Sequence, residues 1–177
     1  LLPLAGGTMS GAINLGASSG GTGVEYSALS ASSFEQISFH DATVTMTDEA
    51  SGIRIQRGVA DGFIARLPFT PTIGETNTVS WNIGTSTSGA VKANIVRVPD
   101  GVDASESTWA SKYTIPDHLD TLGGSRNGAE NLIISGVSEQ SGSFVFTPTE
   151  PTGDYFIYFR FTGGGSDTSF VVSDFGV

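Results

Sequence analysis

Few residues in this sequence are equipped for chemistry. Its two histidines, His40 and His118, stand without a partnered Ser or Cys motif, and no cysteine is present for thiolate or disulfide chemistry. No G-x-S-x-G, H-E-x-x-H or phosphate-cradling G-x-x-x-x-G-K sequence occurs, and Gly163-Gly164-Gly165 reads as a turn. The carboxylate pairs Asp100 with Asp103 and Asp117 with Asp120 are of the type that cleaves glycosides, but that reaction depends on a separation in space that sequence does not give. The expectation is a protein without catalytic activity.

Binding is better provided for. A sugar presents C–H faces that stack on flat apolar rings and hydroxyls that need a few fixed polar groups. Trp109 and Tyr113 lie four residues apart in a long polar segment, with Asp103, Glu106, Lys112, Asp117 and His118 as neighbours. The expected ligand site is therefore Trp109 and Tyr113, served by Asp103 and His118. A tryptophan in a long loop also suits a lid plugged into its own core, and the sequence leaves both readings open.

Rigid elements must hold such a loop. Alternating apolar and polar residues mark strands at Ala42 to Met46, Gly52 to Arg57, Gly62 to Phe69, Asn77 to Ile83 and Val91 to Val98. Further runs lie at Asn131 to Ile134, Gly142 to Thr147, Tyr155 to Phe161 and Ser169 to Val177. Trp81 is in phase with Val79 and Ile83, which assigns it to packing. Tyr155, Ile157, Phe159 and Phe161 share one strand face while Phe156, Tyr158 and Arg160 share the other. One of these faces is core, and the other is expected to be a trimer contact or a binding face.

Residues 99–128 break the rhythm with Pro116, Gly123 and Gly124, making a long connection with room for one helical turn around Ser105 to Lys112. About eight or nine short strands without strand–helix alternation predict an all-β fold, an antiparallel β-sandwich of the jelly-roll type. Residues 1–32 are rich in Gly, Ala and Ser and cannot bury enough apolar surface to fold alone, so the domain is placed at 33–177.

Composition narrows the partners. Eighteen acidic residues against eight basic ones give a net charge of -10, so a nucleic-acid backbone or an anionic membrane would be repelled. Binding an anionic capsule would need a local basic patch, for which Arg54, Arg57 and Arg66 are the candidates. No apolar run approaches a signal peptide or a membrane span, so membrane insertion is not expected. Leu1 is not an initiator Met, which implies a piece of a longer chain.

Leu2-Pro3-Leu4-Ala5-Gly6-Gly7-Thr8-Met9-Ser10-Gly11-Ala12-Ile13-Asn14-Leu15 resembles the L-x-L-x-G-G-T-M-x-G-x-I-x-(L/M) repeat of phage tail fibres. The resemblance implies an extended stalk in a virion appendage, a homotrimer with Leu4, Met9, Ile13 and Leu15 on the shared axis, and attachment to other virion proteins on the N-terminal side. The rest of the chain is similar to non-catalytic carbohydrate-binding modules of the galactose-binding-like sandwich. Ser33-Phe34-Glu35, Ile73 to Ile83 and Phe170 to Val177 carry that likeness, with Asn77 in place of an aromatic and Ser173 in place of the closing Asp. It implies a host-surface polysaccharide as ligand, and a structural calcium held through Glu35 and Asp174. The alternative is a structural cap or decoration domain without ligand.

Overall fold

The period-two patterns become strands, and the strands become two facing sheets. The computed structural model describes residues 30–37, 44–58, 62–85, 90–111, 113–126, 132–135, 139–162 and 169–176. The stalk positions Leu4, Met9, Ile13 and Leu15, and also His40, lie outside the described residues.

The strands are β1 (Glu35–Gln36), β2 (Val44–Glu49), β3 (Gly52–Arg57), β4 (Gly62–Phe69), β5 (Asn77–Thr85) and β6 (Ala90–Val98). They continue with β7 (Asp120–Gly123), β8 (Leu132–Ser135), β9 (Gln140–Phe146), β10 (Asp154–Thr162) and β11 (Ser169–Gly176). The first sheet runs β1-β4-β10-β6-β7, with β8 also pairing β6, and the second runs β2-β3-β11-β5-β9. Every pairing is antiparallel. The fold is an antiparallel β-sandwich, as the alternation predicts.

Two strands exceed the sequence expectation. β1 is two residues long and carries no pattern, and β7 lies inside the stretch read as a loop. The expected helical turn is a 3-10 turn at Glu106–Thr108.

The main core lies between the sheets. Ile53, Ile55, Val79, Ile83, Phe170 and Val172 from the second sheet meet Leu67, Ile95, Ile157, Phe159 and Phe161 from the first. Its rings pack edge to face or tilted, with Phe161 and Phe170 5.2 Å apart and Phe159 and Phe170 5.7 Å apart. Trp81 packs against this core as its phase predicts. Its cross-strand neighbour is Gly142, where a Cβ would stand 2.3 Å from the indole, so the missing side chain is what makes room for the ring.

A second core lies on the far side of the first sheet. The described residues of 99–119 and 124–126, on either side of β7, lie over that face as a strap, and Trp109, Ile115 and Leu119 are buried against Val96, Val98, Phe156 and Tyr158. Polar side chains of the sheet tie the strap down. Asn94 Nδ2 donates to the Ser125 carbonyl at 3.1 Å, and Arg160 Nη1 to the Tyr113 carbonyl at 2.5 Å. Within the sheet itself, Arg97 Nη1 donates to Asp120 Oδ2 of β7 at 2.5 Å and its Nε to the Thr152 carbonyl at 2.7 Å. The outer aromatic face of β10 is thus covered by the strap at Arg160 and packed by Trp109 at Tyr158, while Asp154, Phe156 and Tyr158 border the part that stays open.

Candidate ligand-binding groove

The strap leaves one part of the outer face open. Between its residues 102–105 and the β1 edge lies a groove of about 420 Å³, floored by Arg66, Phe156 and Tyr158 and rimmed by Gln36, Asp103 and Asp154. Its volume falls within the range of small-molecule sites. The floor is built by register: Tyr158 of β10 stands opposite Arg66 of β4, and β1 adds Glu35 opposite the same arginine.

Arg66 organises the floor. Its guanidinium stacks on the Phe156 ring with Cζ 4.1 Å from the centroid, donates from Nη1 to the Tyr158 hydroxyl at 2.9 Å, and donates from Nε to Glu35 Oε2 at 2.7 Å. Burial works against its charge, but Tyr158 and Glu35 outweigh that and hold its pKa above the usual arginine value. Burial raises the pKa of Tyr158, with Arg66 opposing, so the phenol stays neutral. Two of the five guanidinium N–H groups are engaged, which leaves the others for a ligand's oxygens.

The expected site residues are only partly brought together. Asp103 lines the groove, and its carboxylate accepts from the Ser105 backbone N–H at 2.8 Å. That bond first, then the Ser105 hydroxyl and the charge of His118, hold its carboxyl below the ordinary aspartate value. His118 is exposed on the strap and close enough to act on Asp103 electrostatically.

Trp109 is 6% exposed, with its ring 5.7 Å from that of Tyr158. It is the lid plugged into its own core, and the reading of its indole as a sugar platform is corrected, because Tyr158 and the strap occupy the ring. Tyr113 is 43% exposed but does not line the groove, so these two rings do not form one platform.

Arg66 is the residue that sequence reasoning placed in the wrong company. Arg54 and Arg57 belong to β3 in the second sheet and Arg66 to β4 in the first, so the expected basic patch does not form. Arg54 is also paired with Glu49 at 2.5 Å.

The two residues expected to hold calcium stand on different sheets. Glu35 is engaged by Arg66 at 2.7 Å, and it lies in the first sheet while Asp174 lies in the second. Among the described residues no group of three carboxylate or imidazole side chains converges. The strand carrying Asp174 is bulged between Val172 and Asp174, so that Asp174 takes the register position opposite Asn82 that an unbulged strand would give to Ser173.

No family model and no curated protein matches this chain. A solved carbohydrate-binding module, described as "CBM4 structure and function", superposes with a TM-score of 0.53 over 80% of this chain and 82% of that one, at 12% identity. The sandwich is similar in fold to that module. At that identity the likeness speaks for the arrangement of strands, and the groove has to be argued from its own side chains.

Proposed function

We propose that this sandwich binds carbohydrate in the groove over β4 and β10, without catalysis, and that it does so as the ligand-binding end of an external virion appendage that adsorbs to host-surface glycans. The observation that carries the binding reading is the floor: a guanidinium stacked on an aromatic ring and flanked by two rim carboxylates, on the outer face of a sandwich similar in fold to a carbohydrate-binding module. Such a floor offers donors from Arg66 and acceptors from Asp103 and Asp154 to sugar hydroxyls, with the guanidinium stacked on the Phe156 ring.

The appendage reading rests on the fibre-type repeat at residues 2–15. Three copies on one stalk would convert a weak single-site affinity into avidity. Light scattering on the whole chain is expected to give a trimer, and on a form lacking residues 1–32 a monomer. A monomer in both forms would remove the fibre assignment.

For the groove, a glycan array should yield ligands whose affinity falls tenfold or more in Arg66→Ala, a loss of about 1.4 kcal/mol. Asp103→Asn, at the exposed rim, should weaken the same ligands while leaving the thermal midpoint within about 1 °C. An array and titrations that show no glycan bound by the intact trimer would end the carbohydrate reading. They would favour the structural cap, a role to which the extensive roof over the first sheet is also suited.

A further inference from the structure

The outer face of a bare sandwich offers a polysaccharide a path across several strands, but here the path is interrupted. Along β10 the outward positions are Asp154, Phe156, Tyr158 and Arg160, and only the first three line the groove. Arg160 is 5% exposed, and its Nη1 holds the carbonyl of Tyr113 in the strap at 2.5 Å. Across the sheet, Asn94 and Val96 of β6 are likewise buried beneath the strap, while Val98 lines the groove. The groove therefore runs over β4, half of β10 and the Val98 end of β6, walled by the strap on one side and by Gln36 and Ile37 on the other, and it stops where the strap crosses Arg160.

The wall is not a loose flap. Trp109, Ile115 and Leu119 are each at most 6% exposed in the second core, and Asn94 and Arg160 bond the strap at separate points. Swinging it aside would break those bonds and expose three large apolar side chains at once. The closed end thus belongs to the folded state. From Asp154 to Tyr158 the floor extends about 14 Å, enough for about two or three pyranose rings end to end.

Charge restricts the ligand further. The ionised groups lining the groove are Asp103 and Asp154 against Arg66, and Glu35 already compensates Arg66. A uronate or sialate would meet two carboxylates on a chain of net charge -10, whereas a neutral diol can donate to both.

We infer that the groove is a blind site for the terminus of a neutral glycan, holding its last two or three sugar units, and does not take the interior of a long chain. This inference rests on the carbohydrate reading above and narrows it.

The test is a calorimetric titration of the whole chain with a ladder of one to six units of a neutral glycan selected on the array, alongside the same hexamer carrying bulky groups on both termini and an acidic uronate oligomer. The expected result is an affinity that stops rising at two or three units, falls at least tenfold when both termini are blocked, and is absent for the uronate. An affinity that keeps climbing through six units, an unchanged affinity for the doubly blocked hexamer, or tight uronate binding would overturn the blind-site assignment while leaving carbohydrate binding intact. Silence across the whole ladder and the array would instead remove the carbohydrate reading itself.

Discussion

Trp109→Ala is expected to cost about 3–5 kcal/mol of stability, the range for deleting a large buried aromatic ring. The indole is 6% exposed and packs on Tyr158 within the second core, so its removal leaves a cavity bounded by Val96, Ile115, Leu119 and Phe156, which a strap tied at several points cannot fully collapse. In a domain of this size that corresponds to a fall of about 6–20 °C in the thermal midpoint. Calorimetric melting measures it, and hydrogen exchange locates it, with lost protection expected first in the strap and in β7. A stacking platform would behave in the opposite way: Trp109→Ala would melt normally and fail only to bind. That result would return Trp109 to the ligand site.

Gly52→Ala is expected to be nearly as damaging for a backbone reason. Gly52 opens β3 at φ 134°, a conformation that side-chain-bearing residues rarely adopt, and an added Cβ would lie 2.2 Å from the carbonyl oxygen of Val172. The strain alone is about 1–3 kcal/mol. The clash is with backbone, so it cannot be relieved by a rotamer change, and β3 or β11 would have to shift where Ile53 pairs with Val172. Chemical denaturation should show a lowered midpoint with an unchanged slope, and the β3–β11 amides should exchange faster. A variant as stable as the parent would mean that the β2–β3 turn can be rebuilt without glycine.

The two variants mark the limits of what could be read from residue order. Strands with strict alternation were legible almost to the residue: β3 and β4 occupy Gly52–Arg57 and Gly62–Phe69, as the pattern predicts. β7 was not, because Asp120–Gly123 has one strong apolar residue in four and owes its extension to pairing with β6. The groove was half legible. Asp103 was named for its neighbourhood, whereas the place of Arg66 depends on a β4–β10 register that brings together residues 92 positions apart.

A signal for the burial of Trp109 did exist. β10 is apolar on both faces, so its second face needs a cover, and Trp109, Ile115 and Leu119 are the large apolar side chains that the long connection supplies. Read together, those facts favour a lid. Read alone, the loop favours a platform.

The place of β11 in the second sheet has a bearing on how the molecule is made. This strand lies between β3 and β5, so the halves of that sheet are joined by a segment that leaves the ribosome after the other described strands. Until it arrives, the β2–β3 hairpin has nothing to pair with, and Ile53, Ile55, Val79 and Ile83 lack Phe170 and Val172 beside them. The nascent chain must therefore carry an unsealed apolar seam until β11 emerges, and closing it requires contacts between residues more than 100 positions apart. Closure of the second sheet is accordingly a late step, and the interval before it is when the open seam is most exposed to pairing with another chain.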